Sequence, residues 1–240
     1  MNLVICMAGK NTRFHDVGFD IPKYLLPWGG TNVITHILSN FDNIKETILV
    51  ANNRDIYFKK LLLKTVSTLG LTANNLIYID DTNGQATTAK QGVHSLKDQN
   101  EPLLIHNADT ILMGRDFQFI EDSLKNSADL YVDVFHSESD FYSYINFQNG
   151  NRVISIDEKV RNSNFASSGL YGFRNSKCYL DLYKRTSTVN EFYISNVVQT
   201  AINMDFEVIC NEIQDMQSTE VLGTPAEYGL SVARHILGEV

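Results

Sequence analysis

The spacing of its short apolar runs narrows most sharply what this chain can fold into. Residues 3–7, 47–51, 76–79 and 103–106 are of strand length and largely apolar, and helical stretches at 33–41, 56–69 and 87–96 separate them. A strand with one wet face alternates apolar and polar side chains, so an unbroken apolar run needs cover on both faces. That is the setting of parallel strands joined by helices, and the first half of the chain is expected to run βαβαβαβ.

The pattern changes after about residue 128. Residues 129–135 alternate, 142–147 follow, Asn149-Gly150 is a two-residue hairpin signal, and 153–156 supply the return strand. A further strand is expected at 169–173, with helices at 177–184, 191–204 and 225–237. No linker rich in Pro, Gly or Ser and no internal repeat interrupts the chain. One α/β domain spanning 1–240 is therefore expected, with halves 1–127 and 128–240, a mixed but mostly parallel central sheet, and a small antiparallel part. With 240 residues and 43% hydrophobic content it can bury a full core.

The formal net charge of −8 argues against a surface built to track nucleic acid or anionic lipid, either of which selects a basic face. Cys6, Cys178 and Cys210 form no CxxC pair, which argues against a disulfide framework or a structural zinc site. The N-terminal segment is apolar but has no basic flank before it and meets Lys10 and Arg13 early, unlike a signal or membrane helix. A cytoplasmic protein with no membrane partner is the expectation.

Chemistry concentrates in a few loops. The first strand runs into Ala8-Gly9-Lys10-Asn11-Thr12-Arg13, a turn that permits tight backbone geometry and presents amides and two cations to an anion. It would lie at the carboxyl ends of the strands, where open α/β sheets bind ligands. Next comes Pro22-Lys23-Tyr24-Leu25-Leu26-Pro27-Trp28-Gly29-Gly30, in which two prolines restrict the backbone around Lys23 and two leucines can anchor the loop.

Together these segments resemble the signature of the sugar-phosphate nucleotidyltransferase superfamily: a glycine-rich turn ending in arginine, then proline-lysine-x-leucine-leucine-proline, then glycine. The resemblance implies a Rossmann-like, GT-A-like three-layer fold. It further implies that Arg13 grips a nucleoside triphosphate and that Lys23 meets phosphate oxygens at the reacting end. Gly84-Gln85-Ala86 matches the family's base-reading turn, and the Gln85 amide has both the donor and the acceptor for a base edge. Asn107-Ala108-Asp109, at the tip of an apolar strand, is similar to the acidic turn that holds magnesium, and a carboxylate suits that hard cation. His106, inside the strand, reads as a core histidine. In the second half Glu158 and Lys159 resemble the pair that binds acceptor hydroxyls and acceptor phosphate, while Ser168 and Gly169 match a strand lining the acceptor pocket. Tyr193 is a further acceptor-side candidate. Phe141, Tyr142, Tyr144, Phe192 and Tyr193 either cage a cationic acceptor or pack the core.

Two departures stand out. Asn11 replaces the family's usual second glycine, and Val221 replaces a second metal-binding aspartate in Glu220-Val221-Leu222-Gly223-Thr224. Glu220 or Asp215 takes over, or the metal relies on Asp109 with phosphates and water. Thr224-Pro225-Ala226-Glu227 also has the pattern of a helix start. The expected activity joins a pyrimidine nucleotide to a sugar 1-phosphate or similar metabolite, releasing pyrophosphate, for surface polysaccharide precursors. The alternatives are a CTP-dependent enzyme acting on phosphocholine or a phosphorylated amino acid, and a catalytically silent nucleotide-binding regulator. A homodimer is left open.

Overall fold

The computed structural model describes residues 1–148, 150–187, 191–211 and 218–239. In chain order the elements of the first half are β1 (Asn2–Met7), α1 (Thr12–His15), β2 (Pro27–Trp28), β3 (Thr31–Asn32), α2 (Val33–Ser39), β4 (Glu46–Asn52), α3 (Lys59–Ser67), β5 (Leu76–Ile79), α4 (Gln85–His94), β6 (Leu103–Asn107), β7 (Thr110–Met113) and α5 (Phe117–Asn126). There follow β8 (Leu130–His136), β9 (Ser143–Gln148), β10 (Arg152–Glu158), β11 (Phe165–Phe173), α6 (Ser176–Arg185), α7 (Ile194–Asn203), β12 (Val208–Cys210), β13 (Ser218–Val221) and α8 (Pro225–Ile236).

A nine-stranded sheet has the order β5-β4-β1-β6-β11-β8-β12-β10-β9. Its first four strands are parallel, β11 is antiparallel to both β6 and β8, and β9 and β10 form an antiparallel pair. The sheet thus carries the expected parallel run and the expected antiparallel part. Asn149, half of the hairpin signal, lies outside the described residues.

Alternate side chains of the apolar strands enter opposite cores. Leu3, Ile5, Leu49 and Leu104 pack with α2, α3 and α5 on one face. Val4, Val50, Leu103 and Ile105 pack with α4, α6 and α7 on the other. This is the two-sided cover that unbroken apolar strands demand. Sequence periodicity placed most of the longer elements to within a few residues but missed α1, β2, β3, β7, α5, β12 and β13. The expected helix at 56–69 begins as a tight turn at 53–58, where Asn52 accepts from the Arg54 amide, and becomes regular only in α3.

The order of strands fixes where a ligand can sit. From β1 the chain moves to β4 and β5 on one side, then returns to β6 on the other. At such a switch point the loops leaving β1 and β6 diverge and open a crevice at the strands' carboxyl ends.

Candidate active site

That crevice is a cleft of about 830 Å³, and among its walls are Gly9, Arg13, Lys23, Gln85, Asp109 and Lys159. The turn after β1 is shaped by Asn11, which adopts φ 56° and ψ 20°. This left-handed conformation is one that asparagine tolerates better than most residues other than glycine, so the missing glycine does not prevent the turn. Phe14 is buried against Phe19 and Tyr228 in edge-on contacts, which seats the following helical turn. Neighbouring Arg13 is left facing the cleft, its guanidinium 5.6 Å from the centre of the Phe141 ring.

Lys23 opens a single helical turn after Pro22, whose φ is −58°. Tyr24, Leu25 and Leu26 are buried immediately behind it, and the Tyr24 hydroxyl donates to Asp55 at 3.1 Å. So anchored, the Lys23 ammonium donates to Asp109 Oδ2 across the cleft. Burial, the largest influence on the Asp109 carboxyl, pushes its pKa upward; the Lys23 charge and hydrogen bonds from Lys23 and Thr110 more than offset this and hold it below its ordinary value. Asp109 is therefore an anion near neutral pH, already balanced by a cation.

At the far wall, Gly84 precedes α4 with φ +146°. A Cβ at this position would lie 2.4 Å from the Phe192 carbonyl oxygen and 2.5 Å from its nitrogen. The approach is this close because two backbone bonds clamp the segments together, Ala86 N to Phe192 O at 2.9 Å and Phe192 N to Asn83 O at 2.8 Å. The turn carrying Gln85 is thereby tied to the segment carrying Tyr193. Gly84→Ala is expected to destabilise the fold by roughly 1–3 kcal/mol from backbone strain alone and to weaken nucleotide binding, as measured by thermal melting and nucleotide titration. A variant matching the parent in both would show that the clamp does not hold this turn.

On the acceptor side, Glu158 Oε2 accepts from Ser143 Oγ and, at 2.7 Å, from Ser195 Oγ. Lys159, at the end of β10, has φ 56°, a strained conformation of the kind that gathers at functional sites. Its ammonium donates to the Tyr193 hydroxyl at 2.6 Å, and that hydroxyl donates to Glu191 at 2.5 Å. The bond to Tyr193 is the main reason that the Lys159 pKa is raised. In β11 the register slips between Ser167 and Tyr171, where Gly169 adopts φ +88°. A Cβ on Gly169 would lie 2.2 Å from Asn107 Nδ2, so glycine lets the bulge approach the β6 tip.

Of the residues singled out in the sequence, Ala8, Gly9, Lys10, Arg13, Lys23, Gly84, Gln85, Asn107, Asp109, Glu158, Lys159, Ser168, Gly169 and Tyr193 line this one cleft. Asn11 shapes the turn without lining it, Thr12 lies on α1 outside it, and Ala86 is fully buried beneath it. Glu220 is corrected outright as a metal candidate: it is 3% exposed, faces away from the cleft, and binds Arg234 at 2.9 Å. Asp215 lies outside the described residues. Tyr144 and Phe192 belong to the core, whereas Phe141 and Tyr142 reach the cleft. His106 is fully buried, as a core histidine should be, with Nε2 2.8 Å from the Thr110 carbonyl. The sequence reading missed Ser143, Ser195, Glu191 and, as a cleft residue, Glu227. Glu227 alone carried a signal, as the acid of a Thr-x-x-Glu helix start.

Among the described residues no group of three or more His, Cys, Asp or Glu side chains gathers to hold a metal ion. Magnesium needs no such cage, since it commonly uses one or two carboxylates and fills its sphere with water and phosphate oxygens. Asp109 fits that mode, and the Lys23 ammonium on its Oδ2 marks where positive charge is favoured.

A parallel-sheet switch point lined by cations, ion-paired carboxylates and a glycine turn is a setting in which α/β proteins bind ligands. The family described as Nucleotidyl transferase matches residues 3–216, and the chain belongs to that family. It is 28% identical over 180 residues to the bifunctional protein GlmU of Methanococcus aeolicus; the match covers 73% of this chain and 40% of GlmU, so the chain spans about two fifths of that relative's length. A nucleoside-diphosphate-sugar pyrophosphorylase from Vibrio cholerae RC9 superposes with a TM-score of 0.81 at 23% identity, over 96% of this chain and 99% of its own. An inositol-1-phosphate CTP transferase from T. maritima gives 0.74 at 15%, over 94% and 90%. At these identities the structural likeness is one of fold. No helix among the described residues is long and apolar enough to cross a membrane.

Proposed function

We propose that the protein transfers a nucleotidyl group, from a pyrimidine nucleoside triphosphate, to the phosphate of a sugar 1-phosphate or similar small metabolite. An acceptor phosphate oxygen attacks the α-phosphorus, the bond from that phosphorus to the oxygen bridging the β-phosphate breaks, and pyrophosphate leaves. The observation that carries this reading is the convergence of Lys23 and Asp109, 86 residues apart, in one cleft with Arg13 and Lys159.

Two anions must meet for this reaction. At about 4 Å two unit charges repel by roughly 4 kcal/mol at an effective dielectric near 20. Arg13 and Lys10 on the turn after β1 suit the triphosphate, Lys23 the reacting phosphate, and Lys159 the acceptor phosphate. Asp109 would hold magnesium, which when bound supplies charge neutralisation for the leaving pyrophosphate. No general base is assigned, because the nucleophile is already an anion at neutral pH; positioning and electrostatics suffice. The Gln85 amide at the head of α4 suits a base edge, and Asn107 Oδ1, buried without a hydrogen-bond partner among the described residues, suits a ribose hydroxyl. Glu158, held by two serine hydroxyls on Oε2, offers Oε1 to an acceptor hydroxyl. Surface polysaccharide precursors, made in the cytoplasm, are the products this chemistry serves.

A second reading, CTP with a non-sugar phosphate such as phosphocholine, is favoured by the aromatic faces of Phe141, Tyr142 and Tyr193 in a cleft that also contains Glu191 and Glu227. The test is pyrophosphate release from five nucleoside triphosphates against sugar phosphates, phosphocholine and phosphorylated amino acids. Release with a pyrimidine triphosphate and a sugar 1-phosphate is expected. Release with CTP and phosphocholine alone would favour the second reading, and none with any pair a silent nucleotide binder.

A further inference from the structure

Val221 stands where a second metal-binding carboxylate was expected, and the structure offers a different residue in its place. Strand β13 pairs with β7 so that Val221 lies opposite Thr110, beside the Asp109 turn, and the Leu222 amide donates to the Asp109 carbonyl at 2.7 Å. Val221 lines the cleft with a side chain that cannot bind a cation, and Glu220 points the other way into Arg234. The next residue, Gly223, is the informative one. A Cβ there would lie 3.3 Å from Asp109 Oδ2 and 3.5 Å from Glu227 Oε2. Oxygens of two carboxylates thus border one position of the backbone, where glycine leaves room beside them.

Glu227 occupies the third position of α8, where the Thr224 hydroxyl accepts from its amide at 3.2 Å. In a reciprocal capping box the glutamate carboxylate would return to the amide of the capping threonine. Here Oε1 instead accepts from the Tyr142 hydroxyl at 2.8 Å, and Oε2 borders the same Gly223 position that Asp109 Oδ2 borders. The helix start accounts for an acid at this position; it does not account for a carboxylate that Tyr142 holds beside the Gly223 position that Asp109 also borders.

We propose that Glu227 is the second carboxylate for the divalent cation that Asp109 binds, standing in for the aspartate lost at Val221. The inference rests on the nucleotidyl-transfer reading of the cleft. Two carboxylates with substrate phosphates and water form a usual magnesium set. Tyr142 holds one of them in place, as outer hydrogen bonds commonly do for metal ligands. With a cation held there, the Lys23 ammonium that now donates to Asp109 would be free to meet phosphate oxygens.

The test is Mn2+ binding alone, followed by electron paramagnetic resonance on the whole chain. Glu227→Gln keeps the shape and can still accept from Tyr142, so its thermal melt should match the parent, while Mn2+ affinity falls about tenfold or more. Asp109→Asn should lose binding similarly, and Val221→Asp added to Glu227→Gln should restore it. If Glu227→Gln binds Mn2+ as tightly as the parent while Asp109→Asn does not, the assignment of Glu227 is wrong and the transferase reading stands. If the parent neither binds Mn2+ nor releases pyrophosphate with any substrate pair, both fall.

Discussion

Asp109→Asn is expected to lower pyrophosphate release by about 100- to 1,000-fold, because it removes the carboxylate that would hold the cation, and Lys23→Ala by a similar factor, because it removes a positive charge aimed at the reacting phosphates. The fold should survive both. The Lys23 and Asp109 side chains are 24% and 17% exposed, so neither variant strands a charge in a dry core. Their effects should not add, since the two groups form one contact and the double variant loses it only once. An acid titration gives a second check. The Asp109 pKa is held below its ordinary value of 3.8, so the stability it contributes is fully present above that value and is lost as pH falls through the lowered one. Any stability gap between the parent and Asp109→Asn should therefore close only under acid conditions below about pH 4. Full activity of either variant with its true substrates would remove the pair from the mechanism.

How far the sequence foretold this site depends on what each residue's neighbours encode locally. Lys23 could be read as anchored because Pro22, Leu25 and Leu26 sit beside it, and burial of those leucines is what fixes it. The tip of β6 could be read because an apolar run ending in an acid marks a strand end. That Lys23 and Asp109 touch could not be read, since the contact spans 86 residues and depends on the strand order. Glu220 shows a different limit. Alternation along β13 puts Glu220 and Val221 on opposite faces, but which face meets the cleft is set by the register with β7, and a one-residue slip would exchange them. Strand β12, of three residues, is too short for periodicity to announce, and β7 begins after only two residues beyond the tip of β6, with no helix between to set it apart. In α5 the buried residues Phe117, Ile120 and Leu124 do follow helical spacing, a signal present in the sequence and passed over.

The largest effect on stability is expected outside the cleft, at Arg115. Its guanidinium makes two bonds to the Asp133 carboxylate, both 2.9 Å, and three more to the Met113 carbonyl, the Ser218 carbonyl and the Thr219 hydroxyl. Both side chains are dry, at 1% and 0% exposure. Arg115→Met would leave Asp133 as a buried charge without its cation, which destabilises by about 3–5 kcal/mol and lowers the melting temperature of a chain this size by on the order of 10 °C. Replacing both partners by apolar residues, Arg115→Met with Asp133→Leu, should recover most of that loss, because the penalty lies in the orphaned charge more than in the lost attraction. The two variants separate stability from function. Ser218 and Thr219 begin the strand that carries Val221 and Gly223 to Asp109, and Arg115 ties that strand to β8. The double variant, stable but without this tether, should still bind Mn2+ less tightly than the parent, whereas equal affinity would mean that pairing with β7 alone positions the β13 end of the cleft.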